Sequence, residues 1–296
     1  MKFGIDLGGT KIEGVVLDPT GTVIERRRFA TEREGGYRHI LERIARMITE
    51  LETATGITAD HIGIGTPGTI DPPTGLMKNS NTVVLNGQPL GRDLEALTGR
   101  RLTLANDANC LAIAEALLGE VPEKVPNARV VFGVILGTGT GGGIVVDGRV
   151  VGGAQGIGGE WGHTFLDHSG GYCYCGRVGC TEQILAGPAL ERYYLRMSGV
   201  ARSMREIAPR YGTGEDAAAD RTLDRFFHFF AKGIANIINV LDPDAVVLGG
   251  GLSNIEALYT KGVDQIAGHL FNPRRDTPIL RPRLGDSAGV FGAALL

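Results

Sequence analysis

Apolar and polar positions along this chain fall into short runs and helical stripes that predict alternating strands and helices. Phe3 to Leu7 and Ile12 to Leu17 are apolar runs on either side of Gly8-Gly9-Thr10, and they predict a hairpin over residues 2–7 and 12–17. Val23 to Phe29 predicts a third strand, basic on one face. Within residues 37–55, Ile40, Leu41, Ile44, Met47, Ile48 and Leu51 recur at helical spacing, and Gly56 closes that helix. Ile62 to Gly65 predicts a buried strand that enters a tight loop at Thr66-Pro67-Gly68. Residues 69–90 are polar and rich in turns, so they read either as a functional segment or as a plain surface loop. A short helix at Leu90 to Leu97, a strand at Leu102 to Ala105 and a helix from Cys110 to about Leu118 follow. Gly119 to Asn127, with two prolines, reads as a crossing into a second half.

The second half repeats the first. A shift of about 129 residues lays Phe132 to Asp147 on Phe3 to Asp18, with about seven of sixteen positions identical. Two similar domains follow from that repeat, each opening with a strand, a glycine turn and a strand. One position breaks the symmetry: Asp6 becomes Ile135, which suggests a task that only the first copy performs. Residues 152–182 are irregular. Helices are predicted at 188–197, 203–211 and 221–241, and the Phe226, Phe227 and Phe230 stripe of the last reads as core rather than as a cofactor box. Ala245 to Gly251 echoes Ile62 to Gly68 as a buried strand running into glycines. Residues 254–270 read as helical, 278–283 as a strand, and Ser287 to Leu296 as a final helix.

Composition narrows the classes. The chain has 296 residues, enough for two ordinary domains, and a hydrophobic fraction of 43%, which is globular. A net charge of −3 gives no reason to expect nucleic acid or an anionic membrane as partner. No apolar run approaches a membrane span, and the first strand begins at once, so no signal or transit peptide is expected. The expected location is cytoplasmic. In that compartment four cysteines, three of them within eight residues, read as a metal site, with a strained Cys-x-Cys disulfide as the alternative.

The candidate chemistry clusters in the glycine-rich segments. His163, Cys173, Cys175 and Cys180 offer one imidazole and three thiols, a set suited to a closed, structural Zn²⁺ site. The second imidazole nitrogen then needs a partner, either a substrate hydroxyl or a carbonyl. Gly8, Gly9 and Thr10 in the first half, and Gly137, Thr138 and Gly139 in the second, would cradle a polyphosphate between two hairpins that face each other across a cleft. Gly137 to Gly142 formally matches G-x-G-x-x-G, but a strand follows the glycines where that motif needs a helix. Asp6 is placed to hold Mg²⁺, directly or through water, and Lys11 either neutralises a phosphate or is solvated. Gly249 and Gly250 would let the backbone approach a nucleoside. Asn106 and Asp107 stand at a strand's carboxyl end, where they either cap the next helix or meet a ligand. Asp107 is the candidate general base, and Asn81, Asn106, Glu160 and Glu182 are polar groups that a polyhydroxylated substrate needs.

Taken together, Asp6 to Lys11, Asn106-Asp107-Ala108-Asn109, Gly137-Thr138-Gly139, Glu160-Trp161-Gly162-His163, the Cys-x-Cys-Gly-x-x-Gly-Cys-x-Glu run and Leu248 to Gly251 resemble the ROK sugar kinases (repressor, open reading frame, kinase) over essentially the whole length. The resemblance implies an α/β, actin/hexokinase-like (ribonuclease H-like) duplicated fold with a zinc-bound loop. It implies a smaller domain of residues 1–118 plus 285–296 and a larger one of 119–284, with a hinge that closes on the sugar. It implies ATP-dependent phosphorylation of a hexose, with Asp107 as base, Asn106, Glu160, His163 and Glu182 on sugar hydroxyls, and a homodimer. Asn79 to Thr82 followed by Leu85 to Leu90 looks most like the fructokinases and mannokinases of the family, giving a 6-phosphate product; N-acetylglucosamine kinase and glucokinase are the alternatives. Sugar-sensing repressors of the same family carry an N-terminal DNA-binding domain, and here the first strand begins at Lys2. A sensor without that domain is the non-enzyme alternative, and an actin-type ATPase is a third class.

Overall fold

The computed structural model describes residues 1–296. In chain order the elements are β1 (Lys2–Leu7), β2 (Lys11–Leu17), β3 (Val23–Ala30), α1 (Gly36–Thr55), β4 (His61–Thr66), β5 (Thr69–Ile70), β6 (Met77–Lys78), α2 (Leu90–Thr98), β7 (Arg101–Asn106), α3 (Asp107–Leu117) and α4 (Val121–Lys124). They continue with β8 (Val130–Leu136), β9 (Thr140–Val146), β10 (Arg149–Val150), α5 (Glu182–Leu185), α6 (Gly187–Ser198), α7 (Met204–Ile207), α8 (Ala217–Leu241), β11 (Ala245–Gly249), β12 (Ile279–Leu280) and α9 (Ala288–Leu295).

The repeat in the sequence becomes a repeat in topology. One sheet has strand order β3-β2-β1-β4-β7 and the other β10-β9-β8-β11-β12. In each, the opening strand lies between its hairpin partner and a strand that runs parallel to it: β4 beside β1, and β11 beside β8. The chain forms two compact units, Met1–Pro126 with Gly143–Gly159 and Arg283–Leu296, and Asn127–Gly142 with Glu160–Pro282. The border therefore cuts β9 and falls elsewhere than the sequence motifs suggest. Segment 143–159 belongs with the first unit because Lys78 Nζ donates to Gln155 O at 2.7 Å and Thr69 Oγ1 to Gly156 O at 2.8 Å.

In the first unit, Ile5, Leu7, Ile12 and Val16 pack with Ile40, Ile44, Met47 and Leu51 of α1. On the other face α9 lies so close to the strands that a β-carbon on Gly63 would stand 1.8 Å from Ala293 O, and one on Gly4 2.4 Å from Ala294 N. In the second unit the Phe226, Phe227, Phe230 stripe of α8 is fully buried, as its spacing predicts.

Three predicted elements differ. Residues 254–270 are not one helix but a broken series with a π turn at Leu258–Gly262, whose glycine rests against Phe227 and Phe230. The strand expected over 278–283 shortens to Ile279–Leu280, because Pro278 and Pro282 bracket it and lack the N–H that a ladder needs. The helix expected over 203–211 splits into α7 and a 3₁₀ turn at Pro209. Residues 69–90 also hold the β5–β6 hairpin, tied by Lys78 to Asp71 at 2.7 Å.

Glu115 has no solvent exposure, and its carboxylate accepts the N–H groups of Glu120, Arg283 and Leu284 at 3.1, 3.0 and 2.8 Å. Glu115→Ala leaves three part-buried donors without their acceptor and should cost about 3 kcal/mol. The readout is a lower urea midpoint at unchanged m; Glu115→Gln, which keeps an acceptor, should lose less.

Candidate active site

In the first unit candidate groups collect at the carboxyl ends of β1, β4 and β7. Asp6 on β1 is in register with Gly65 on β4, and Gly65 with Ala105 on β7. Asp6 and the Asn106-Asp107 pair thus stand two strand spacings apart, about 10 Å. A glycine occupies the row between them, and its β-carbon would come within 3.1 Å of Cys110 Sγ and 3.4 Å of Asp6 Oδ1. Burial, helped by the charge of Asp107, pushes the Asp6 carboxyl up to about 6. A carboxylate so desolvated beside a second one is a site that favours a cation. Asn106 caps α3, with its side chain accepting the Ala108 N–H at 2.8 Å, and Asp107 Oδ1 accepts the same N–H at 2.8 Å. Asn106 thus fills the capping role, and Asp107 is the first residue of the helix. Asp107 is nonetheless exposed at the mouth of the strands.

The first glycine turn is braced from outside. Gly8 N–H donates to Lys11 O at 2.9 Å, Thr31 Oγ1 donates to Gly8 O at 2.7 Å, and Thr31 N–H donates to Thr10 O at 2.9 Å. Thr10 is exposed. Lys11 is half-exposed, its Nζ 3.4 Å from buried Glu13. Burial alone would raise the Glu13 carboxyl, but Arg26 and Arg28 hold it below its ordinary value. Sequence reasoning gave Glu13 and this arginine pair no role. Asn81 is exposed and lines a 500 Å³ cavity with Arg33, Thr82 and Val83.

In the second unit the four expected metal ligands converge. The ligand atoms of His163, Cys173, Cys175 and Cys180 all lie within 4.8 Å of one another. His163 Nδ1 is 3.6 Å from Cys173 Sγ, and Cys175 Sγ is 3.5 Å from Cys180 Sγ. Neighbouring ligands around tetrahedral zinc stand about 3.5–3.8 Å apart, so the set fits that ion. The disulfide alternative does not hold, since all four cysteines are free. Burial and the neighbouring Cys175 and Cys173 sulfurs push the Cys180 thiol up to about 12, so it would ionise as a ligand only with a cation there to share the charge. With Nδ1 facing the sulfurs, His163 Nε2 faces outward and meets the hydroxyl of Tyr174, 80% exposed, at 2.9 Å. The sequence allotted that nitrogen to a substrate hydroxyl or a carbonyl.

Glu160 is half-buried beside this loop, and burial followed by the Glu182 charge raises its carboxyl against the opposing pull of His163. Trp161 anchors the segment, donating from Nε1 to Gly141 O at 2.7 Å. Glu182 Oε2 accepts the Thr140 N–H at 3.0 Å, at the end of the second glycine turn. Thr138 at the tip of that turn is exposed. Gly249 ends β11 and Gly250 adopts φ 81°, with its α-carbon so near β8 that a β-carbon would lie 2.4 Å from Leu136 O. A cavity of about 970 Å³ opens here, lined by Gly137, Thr138 and Gly251 and by Glu191, Arg205, Tyr211, Asn254 and Glu256, among others. Gly249 and Gly250 shape the turn, and the residues after them form the wall. Sequence reasoning missed Tyr211, Arg205 and Asn254, which lie in segments with no repeat and no motif.

The comparisons agree with this geometry. Residues 2–296 match the ROK family. An N-acetyl-D-glucosamine kinase of Photobacterium profundum is 37% identical over 306 residues, spanning 100% of this chain and 99% of its own length. The ROK hexokinase structure from Thermus thermophilus superposes with a TM-score of 0.89 at 34% identity, covering 100% of this chain and 97% of that one. A ROK family glucokinase from Streptomyces griseus, solved with glucose and AMPPNP, gives 0.78 at 26%, covering 99% and 97%. The chain belongs to the ROK family, and its fold is the hexokinase-like α/β fold of those kinases.

Two outcomes test the site. The purified wild-type chain should carry about one equivalent of metal by elemental analysis, and Cys175→Ser should lose it. Asp6→Asn tests the buried carboxylate. Its folded value of about 6 exceeds the unfolded 3.8, so ionised Asp6 costs stability above pH 6 and nothing below about pH 4. In magnesium-free buffer Asp6→Asn should therefore be more stable than wild type at pH 8, by at most about 3 kcal/mol, with the gain gone at pH 4. Equal melting temperatures at both pH values would contradict the assignment.

Proposed function

We propose that this ROK-family chain, an ATP-dependent sugar kinase, phosphorylates N-acetylglucosamine. The observation that carries the sugar assignment is its whole-length similarity, at 35–37% identity, to bacterial proteins named N-acetyl-D-glucosamine kinases. The loop at Asn79 to Leu90 put fructose and mannose first on sequence alone, with this sugar among the alternatives. The relatives weigh toward that alternative, and fructose, mannose and glucose become the comparison substrates.

The reaction in this reading transfers the γ-phosphoryl group of ATP to a sugar hydroxyl, giving a 6-phosphate. Asp107 accepts the hydroxyl proton as the oxygen attacks, a contribution of about 10²–10⁴-fold. Asn81, Asn106, Glu160, His163 and Glu182 bind the other hydroxyls, and the sugar replaces the exposed Tyr174 on His163 Nε2. The glycine turns Gly8-Gly9-Thr10 and Gly137-Thr138-Gly139 offer backbone N–H groups to the phosphates. Lys11 adds a positive charge, and Gly249 and Gly250 admit the nucleoside. Mg²⁺, held by Asp6 directly or through water, would neutralise phosphate charge, and zinc on His163, Cys173, Cys175 and Cys180 would fix the loop. The reading includes a homodimer and a cytoplasmic location. The structure itself shows that no helix is long and apolar enough to cross a membrane.

ADP release measured with ATP and Mg²⁺ against the four sugars tests the assignment. N-acetylglucosamine should lead in kcat/KM by a hundredfold or more, about 2.7 kcal/mol of transition-state preference. A lead by fructose or mannose would return the sequence reading, and silence with all four would favour a sensor. Asp107→Asn should keep sugar binding within a few-fold while turnover falls by orders of magnitude. Wild-type turnover in that variant would remove Asp107 from the base role.

A further inference from the structure

One carboxylate ties the metal loop to the second glycine turn. Glu182 follows Cys180 by two residues, and its Oε2 accepts the Thr140 N–H at 3.0 Å. A β-carbon on Gly139 would lie 2.8 Å from the same oxygen, so the turn is bare on the side where the carboxylate presses. Backbone bonds hold the rest of the turn: Gly137 N–H donates to Gly139 O at 2.9 Å, and Gly187 N–H donates to Gly137 O at 2.8 Å. The metal loop meets the strand after the turn at two more points, Trp161 Nε1 on Gly141 O and the backbone of Gly162 against Thr140 O. With Gly137 and Thr140 engaged, Thr138 and Gly139 keep the two N–H groups of the turn that no backbone or side-chain acceptor takes.

A carboxylate this near a phosphate cradle repels the phosphate it would sit beside. Its position is accounted for by what it does to the backbone. A turn of glycines has many conformations, and its amides bind an anion well only when they converge. A charged acceptor on the Thr140 N–H is the stronger kind of hydrogen bond and fixes the plane of the Gly139–Thr140 peptide.

We infer that Glu182 is a positioning residue for the phosphate-facing amides of the Gly137–Thr140 turn, and that it makes nucleotide affinity depend on the metal loop as well as on the turn. This rests on reading that turn as the ATP cradle. It assigns Glu182 a task separate from any contact with sugar, one that shows when no sugar is present.

The test is calorimetric titration of the zinc-loaded protein with Mg²⁺-AMPPNP in the absence of sugar. Glu182→Ala should weaken binding about tenfold, while Glu182→Gln, which keeps an acceptor oxygen, should stay within threefold of wild type. Gly139→Ala, which places a methyl against the carboxylate, should also weaken binding about tenfold. The double variant should lose about tenfold and not a hundredfold, because both changes break one contact. Wild-type affinity in Glu182→Ala, or fully additive losses in the double variant, would overturn the inference. If Glu182→Ala does not fold, Gly139→Ala carries the same expectation, and wild-type affinity there is equally decisive. Failure of the wild-type protein itself to bind AMPPNP would instead overturn the reading of the turn as a nucleotide cradle.

Discussion

Two glycine-rich turns of this protein, which we propose as phosphate cradles, must leave their backbone open and yet hold still. A phosphate cradle made of peptide N–H groups needs glycine, because a β-carbon would block the anion's approach, and glycine is also the residue with most freedom to lose. Each half of the chain solves this by bracing the turn from a distant segment. Thr31 clamps Gly8 and Thr10 with a hydroxyl and an amide. Glu182 and Gly187 clamp Thr140 and Gly137. The turns follow one plan, and the braces are unrelated in sequence.

Beneath the turns, close approach of backbone to backbone does what side-chain packing does elsewhere. Gly4 and Gly63 let α9 lie against the first sheet, Gly292 brings the same helix onto Cys110 O of α3, and Gly162 brings the metal loop onto β9. A methyl group at any of these would collide with main chain, which cannot move aside as a side chain does.

In the loop of the candidate metal set, four convergent ligands stand where a core would otherwise be. Between Glu160 and Glu182 few residues are apolar and buried, and several are glycine. Four ligand atoms within 4.8 Å give that segment a centre. The loop presents His163 Nε2 and Glu160 on one side and hands Glu182 to the glycine turn. The raised carboxyls of Asp6 and Glu160 have a shared cause, since burial in each case outweighs the charges nearby.

Order along the chain was enough to reveal the elements whose signal is short-range or repeated. Period and capping marked α1 and α8, the internal repeat marked both hairpins, and the spacing of His163, Cys173, Cys175 and Cys180 marked a metal set, because each rests on residues near one another in the chain. Asp6 stood out for a similar reason, as the position where the two copies disagree. Long-range packing settled the rest. Nothing local in Gly119 to Asn127 or Gly143 to Gly159 says which unit they join; contacts such as Lys78 to Gln155 decide it. The π turn within 254–270 sets Gly262 beside Phe227 and Phe230 of α8, and the cavity wall of Tyr211, Arg205 and Asn254 assembles from three segments with no common motif. Glu182 carried a motif that named it for a sugar, and only the fold put its oxygen on Thr140. The distinction is one of range: a pattern within a turn or two of chain can be read in order, whereas a partner forty residues away is chosen by packing.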